Sequence, residues 1–349
     1  MKNKKIVEHP FYNNEELISK LINKGLRISD KSKLLRYLQS FNYQNVINGY
    51  KKPFLINDYY KEYLHSATSQ MIIDFFNFNR TISNLLIGDL HAIEMKFSTA
   101  ISIELMEIIR ETYPDRTAFN ALSIEKKEKI FKWKSPERMR EISDELQSNF
   151  DILKSNKEFI DESWTSWEEV PLYSLSLLWT FGLAIKIFTY LDDEIKKNIL
   201  TKHFESLKNL NMNTFISLLN CFKDLRNKIS HNEPIYQHKF YTGGLAHKIS
   251  LLDVTLTQQE IAKIIKNDIS TFSIKNFSWK NNFKLFWIAK MLALINNNQK
   301  IENLFKEKTL KLKSQIYTQV ENSNATTNLN CGCKEIWKNI CNFLGLKDD

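Results

Sequence analysis

The chain has 349 residues, 43% of them hydrophobic, so it can bury a substantial core as one large or two ordinary domains. Only 8 Gly and 6 Pro interrupt it, which favours helices joined by short turns with almost no sheet. The net charge of +9 fits a polyanionic partner such as nucleic acid, although lysine also populates plain solvated helix faces. The sequence contains no run of eighteen apolar residues that would suggest a membrane span. Charged residues follow Met1 where a signal peptide would have an apolar core, so we expect a cytoplasmic protein.

The region 1–55 reads as an N-terminal helical hairpin. A first amphipathic helix begins near Asn13 and closes at Gly25, and a second begins at Asp30. Gly and Pro then lie close together in the segment 49–54, which interrupts the helical periodicity.

The region 56–250 reads as a helical core. Apolar residues recur at steps of three and four over 59–110, which predicts at least two long helices separated near Gly88. The segment 113–166 is highly charged and is interpreted as shorter exposed helices or a flexible insertion. The apolar segment 172–190 belongs in the core.

The region 251–349 reads as a helical C-terminal extension, preceded by a turn at Gly243-Gly244 and opened by a capping box at 257–260. Its apolar end, 336–344, predicts a helix that docks on its own domain or on a dimer partner. Four cysteines are too few for a disulfide framework, so reduced thiols are expected. Three of them offer soft ligands without a clear fourth, so we predict no metal site and keep zinc as the less favoured alternative: Cys331, Cys333 and Cys341.

Arg226 stands out because the chain contains eight arginines and this is the only one after Arg140. Among so many lysines, the position suggests a need for the planar guanidinium fork, which matches phosphate geometry. The alternative is a structural salt bridge with Asp224 or with an acidic residue of a neighbouring helix.

His231 lies at the predicted C-terminal end of the same helix, where a histidine can exchange protons near neutral pH. On an ideal helix, Arg226 and His231 are about 140° apart, whereas Asn227 and His231 share a face. The spacing suggests that Asn227 orients His231 while Arg226 reaches a phosphate from the side, or that a second copy completes the site. RNA cleavage by internal attack needs only a base and a positive charge, so no cofactor is expected.

The segment Arg226-Asn227-x-x-x-His231 resembles the HEPN signature, and its surroundings resemble the abortive-infection (Abi-like) proteins over roughly residues 9–240. Asn232 stands where family members often have a second His. Four further patches in the family's order support the resemblance: Leu34-x-x-Tyr37-Leu38-x-x-x-Asn42-Tyr43, Gly49-Tyr50-x-x-Pro53-Phe54, Ile93-Glu94-x-x-Phe97 and Thr180-Phe181-Gly182.

The resemblance implies an all-α, HEPN-type helical bundle that dimerises so that two Arg/His motifs form one composite RNase site. It implies RNA cleavage that leaves a cyclic phosphate and a 5′-hydroxyl, in phage defence or as the toxin of a toxin-antitoxin pair. It also implies RNA as partner, as substrate or as a noncoding RNA antitoxin. Arg226, Asn227 and His231 are the only residues that match the family's catalytic motif. Glu94 also matches a family position, but it could equally be the structural partner of a basic residue.

Additional RNA-binding candidates are Lys51 and Lys52 beside aromatic rings, Lys228 within the motif and His238 just after it. A hinge between hairpin and core would explain the two loop lysines equally well, and His238 equally fits an exposed loop. Two other functions stay open: a non-catalytic RNA-binding or scaffold protein that holds a cognate structured RNA, and a helical interaction protein that binds no RNA.

Overall fold

The computed structural model describes residues 12–56, 61–116, 118–131, 136–155, 161, 163–237, 285–296, 298, 300–321 and 327–344. Within these ranges all regular secondary structure is helical, apart from isolated bridges between extended residues, so the predicted all-α fold is confirmed. The α-helices are α1 (Asn14–Asn23), α2 (Lys31–Tyr43), α3 (Ser69–Thr112), α4 (Ile124–Ile130), α5 (Pro136–Ser155), α6 (Leu172–Leu175), α7 (Phe181–Tyr190), α8 (Asp193–His203), α9 (Met212–Ser230), α10 (Leu285–Ile295), α11 (Lys300–Glu321) and α12 (Thr327–Leu344).

The N-terminal hairpin forms as its polar caps predict. Asn13 accepts the amide of Glu16 at 2.9 Å and its own amide donates to the Glu16 carboxylate at 2.8 Å, which is a reciprocal capping box. Gly25 ends the first helix at a φ of 87°, a conformation that few other residues adopt. Asp30 then caps α2 by accepting the amide of Lys33.

Helix α3 runs unbroken for 44 residues, so the prediction of two helices separated near Gly88 is wrong. One glycine costs a helix only about 1 kcal/mol, and the apolar stripe continues past it through Leu86, Leu90 and Ile93, all fully buried. The neighbouring carboxylate of Asp89 also accepts from the Asn296 amide at 2.9 Å, which ties this point of α3 to the C-terminal helices.

The core is built around α3. At its centre Phe97 meets the edges of four other phenylalanine rings, which α7, α9 and the end of α8 bring to it: Phe181, Phe188, Phe204 and Phe215. The prediction that 172–190 lies in the core is confirmed for most of its apolar residues, while Tyr173 and Leu177 are exposed.

The charged segment 113–166 forms helices, as one of its two interpretations predicted, but they are not merely surface features. Helix α5 buries Ile142, Leu146 and Phe150 and packs against α7. Just beyond this segment, Trp167 donates from its ring nitrogen to Ser143 of α5 at 3.3 Å.

The C-terminal helices cover the core rather than standing apart from it. Helices α10 and α11 pack along α3, where Phe305 meets Phe78 edge to face. Helix α12 docks on its own chain, since Asn339 donates to the carbonyl of Pro53 at 3.0 Å. The predicted turn at Gly243-Gly244 and the capping box at 257–260 lie outside the described residues. The three-region division stays a prediction, and in the described ranges no helix is long and apolar enough to span a bilayer.

Candidate functional site

Arg226 to Ser230 form the last turn of α9 and His231 is its C-cap, at the helix end that the sequence predicts. Asn211 caps the start of the helix, and a stripe that includes Phe222, Leu225 and Ile229 buries one face against the core. This packing fixes the rotation of the helix. It leaves Arg226 half-buried at the flank and both Asn227 and His231 exposed.

Arg226 is held at both of its terminal nitrogens. Nη2 donates to Glu94 Oε1 at 3.1 Å, and Nη1 donates to Asn227 Oδ1 at 3.0 Å. Its Nε atom is buried and has no hydrogen-bond partner among the residues that the structure describes. The salt bridge that the sequence offered as an alternative for Arg226 therefore exists, and its acid comes from the neighbouring helix α3 rather than from Asp224, which lies 3.7 Å from Lys223.

Glu94 is the site residue whose role the sequence left undecided. Its side chain is only 15% exposed. The same oxygen that accepts from Arg226 also accepts the backbone amide of Phe181 at 3.0 Å, at the start of α7. One carboxylate thus joins α3, α7 and α9 at the motif.

His231 is fixed through its backbone by the way α9 ends. Its amide donates to the carbonyl of Asn227, one helical turn earlier. Asn232 then adopts a left-handed conformation with a φ of 55°, and the amide of Glu233 reaches back to the carbonyl of Lys228 at 2.9 Å. This is a Schellman motif with Asn at the position that usually holds Gly. Asparagine is among the residues enriched at positive φ, so it suits this backbone.

The segment that follows the motif packs on the loop that follows the hairpin. Pro234 lies so close to Gly49 that a Cβ on this glycine would be 3.0 Å from the proline ring. Tyr236 donates its hydroxyl to the Gly49 carbonyl at 2.7 Å. Its ring packs edge to face on Phe75 and at a tilt against Tyr50. The family-like patch at 49–54 therefore supports the end of the motif.

One of the basic candidates, Lys228, lies within the motif itself. Lys51 is half-buried and donates to Asn48, and burial lowers the pKa of its ammonium group, which the charges of Lys24 and Lys61 lower further. Lys52 is exposed in the same loop. Within the described part of the chain no hydrogen bond or ion pair joins either lysine to the motif. Lys228 pairs with Glu233, and His238 lies outside the described residues.

A shallow groove of about 370 Å³ lies between α5, α7 and α9, next to the motif. Lys223 lines the groove from α9, one turn before Asn227, and Lys186 lines it from α7. Both lysines already have acidic partners, since Lys186 pairs with Glu145 at 2.8 Å. The positive charges of the groove are therefore paired with acidic side chains.

The structure describes two of the three C-terminal cysteine side chains. Cys333 and Cys341 are buried in α12, and burial raises the pKa of the Cys333 thiol to about 11, while the side chain of Cys331 is outside those described. No group of three His, Cys, Asp or Glu side chains that could hold a metal occurs among the residues the structure describes.

A family model described as Abi-like protein matches residues 36–237, which is more than half of the chain. The chain belongs to the Abi-like protein family. The matched part of this Abi-like protein contains Glu94, Arg226 and His231, whereas α1 and the helices from α10 onward lie outside it. Membership connects the protein with abortive infection, a form of phage defence. Comparison with curated proteins and with solved structures gave no match.

Proposed function

We propose that this Abi-like protein is a metal-independent endoribonuclease of the HEPN type and that its active unit is a dimer. One observation carries the proposal: at the end of α9, an arginine with both terminal nitrogens held lies five residues from an exposed histidine. A fixed guanidinium and an accessible imidazole supply the two functions that cleavage by internal attack requires.

In the proposed reaction, the 2′-oxygen of a ribose attacks the adjacent phosphorus while His231 accepts the 2′-hydroxyl proton. The bond from phosphorus to the 5′-oxygen breaks, which leaves a 2′,3′-cyclic phosphate and a 5′-hydroxyl. A protonated imidazole from the second copy gives the departing oxygen its proton. Arg226 stabilises the charge that grows on the phosphate oxygens, and Asn227 positions Arg226 through their hydrogen bond.

The dimer follows from the direction of the side chains. Positions five apart on a helix point about 140° from one another. Arg226 is turned toward Glu94 on α3, whereas His231 lies one turn beyond Asn227 on an exposed surface. A single chain therefore offers half a site, and a second copy would bring its own histidine to complete it.

The test is RNA cleavage by purified protein in the presence of EDTA. Arg226→Ala and His231→Ala should each lower the cleavage rate by about 10²- to 10⁴-fold, the range for loss of an acid–base or charge-stabilising group. Arg140→Ala and His65→Ala are controls because both residues are exposed and lie outside the helices that carry Glu94 and the motif. The controls should cut like the wild type.

Three results would contradict the proposal: no cleavage of any RNA by the wild type, cleavage that EDTA abolishes, or equal cleavage by the two motif variants. RNA that copurifies uncleaved would instead indicate a protein that holds a structured RNA. The proposed role as a defence protein or as the toxin of a toxin-antitoxin pair predicts growth arrest when the wild type, but not His231→Ala, is expressed in bacteria.

A further inference from the structure

Glu94 has two contacts that serve different purposes. Its Oε1 atom accepts from the Arg226 side chain at 3.1 Å and from the Phe181 backbone at 3.0 Å. The first contact is an ion pair inside the motif, and the second satisfies an otherwise unbonded amide at the first turn of α7. Because the carboxylate is mostly buried, its position is set by α3 and not by solvent.

We propose that Glu94 is the positioning residue for Arg226 in the proposed ribonuclease reaction, on which this inference rests. A free arginine side chain samples many rotamers, and holding it in one costs conformational entropy. In the described part of the chain the Nε atom donates no hydrogen bond to the protein, so the direction of the guanidinium depends on Glu94 at Nη2 and on the exposed Asn227 at Nη1. Of these two hydrogen-bond partners, Glu94 is the one that is buried and charged.

If Glu94 instead inhibited Arg226, neutralising Glu94 would change the cleavage rate in the opposite direction. A carboxylate that merely masked Arg226 from phosphate would slow the wild type, and its neutralisation would speed cleavage. A carboxylate that orients Arg226 aids the wild type, and its neutralisation slows cleavage. The direction of the change in kcat therefore decides between them.

Glu94→Gln separates the two contacts. Glutamine keeps the shape and an oxygen that can accept the Phe181 amide, so α7 retains its first-turn bond together with the Thr180 cap. It loses the charge that holds the guanidinium. Glu94→Asp keeps the charge with a shorter reach and should lie between the wild type and Glu94→Gln.

The matched control is Glu104→Gln. Glu104 is also a buried carboxylate of α3, with a side chain 4% exposed, and it pairs with Lys202 at 3.0 Å. It lies away from the motif, so its neutralisation disturbs the fold in a comparable way without touching Arg226. Thermal unfolding of each variant shows whether the structural losses match.

With a single-stranded RNA substrate and EDTA, Glu94→Gln should lower kcat by about 10- to 100-fold with KM changed less than about threefold, as expected for a misplaced catalytic group. Glu104→Gln should stay within about twofold of the wild type. A kcat for Glu94→Gln equal to or above that of the wild type overturns the inference, and so does an equal loss in both variants.

A second measurement does not depend on cleavage. Phenylglyoxal attacks guanidinium nitrogens, and its rate at Arg226 can be followed by mass spectrometry of the digested protein. Release from Glu94 should make Arg226 react several-fold faster in Glu94→Gln than in the wild type or Glu104→Gln. If the wild type cuts no RNA, the proposed function fails, but the modification rate of Arg226 still tests whether Glu94 holds it. An unchanged rate in Glu94→Gln refutes the positioning role.

Discussion

Replacing Asn232 by valine tests whether the left-handed turn after α9 holds His231 in place. Asn232 has a φ of 55°, and the turn it makes lets the Glu233 amide bond to the Lys228 carbonyl at 2.9 Å. A β-branched side chain strongly disfavours this region of backbone space. Asn232→Val should therefore either strain the turn or unwind the last residues of the helix, which include His231.

The magnitude follows from the backbone conformation. The left-handed region costs an ordinary L-residue about 1–2 kcal/mol, and strained positions of this kind cost about 1–3 kcal/mol. Asn232→Val should destabilise the protein by about 1–2 kcal/mol, while Asn232→Gly should be nearly neutral because glycine adopts positive φ freely. A matched control is Gly25→Val, where φ is 87° and the added Cβ would meet only the Tyr63 carbonyl at an ordinary 3.6 Å.

Urea unfolding measures the stability of the three variants, and hydrogen exchange at the Glu233 amide reports on the turn itself. Asn232→Val should speed exchange at that amide and slow RNA cleavage by more than its stability loss explains. Gly25→Val should lose similar stability but cut RNA like the wild type. Equal stability of the Val and Gly variants at 232 would refute the role given to the left-handed turn.

Three further predictions concern the surrounding fold. Gly49→Ala should destabilise the protein by about 1–3 kcal/mol in urea unfolding, because the new Cβ would lie 2.8 Å from the Asn45 carbonyl oxygen and 3.0 Å from the Pro234 ring. Unchanged stability would contradict this packing. Burial raises the pKa of Asp74, so its contribution to stability is present at low pH and is lost as pH rises through the folded-state pKa. Asp74→Asn should therefore be more stable than the wild type at pH 7 but not at a pH near 3.8, the ordinary pKa of this carboxyl group. A loss of stability at pH 7 would refute this. Burial raises the pKa of Cys221 to about 12, so this thiol should resist iodoacetamide at pH 8 in the folded protein and react fully in urea; rapid labelling of the native thiol would count against its burial.

The sequence predicts those parts of the fold that local chemistry determines. Asn13, Asp30 and Asn211 each begin a helix where a polar cap precedes an apolar stripe, and Gly25 ends one. Each signal lies within a few residues of the boundary it sets. For this reason the two hairpin helices begin at their predicted caps, and α9 ends at the predicted His231.

The predictions fail where distant contacts override local preference. Gly88 suggests a break, but Asp89 beside it is bound by Asn296, more than 200 positions later in the chain. The site shows the same limit, because the partner of Arg226 is Glu94, 132 positions earlier. A spacing rule along the chain can indicate that an arginine needs an acid, but only packing decides which one meets it.

The position of α12 has a consequence for how this protein can be shortened. The family match ends at residue 237, yet Asn339 of α12 bonds to Pro53, and Phe305 of α11 packs on Phe78 of α3. A fragment cut to the family boundary would leave apolar surface of α3 bare to water. Such a fragment should aggregate when expressed, so the unit that folds is larger than the unit that relatives share.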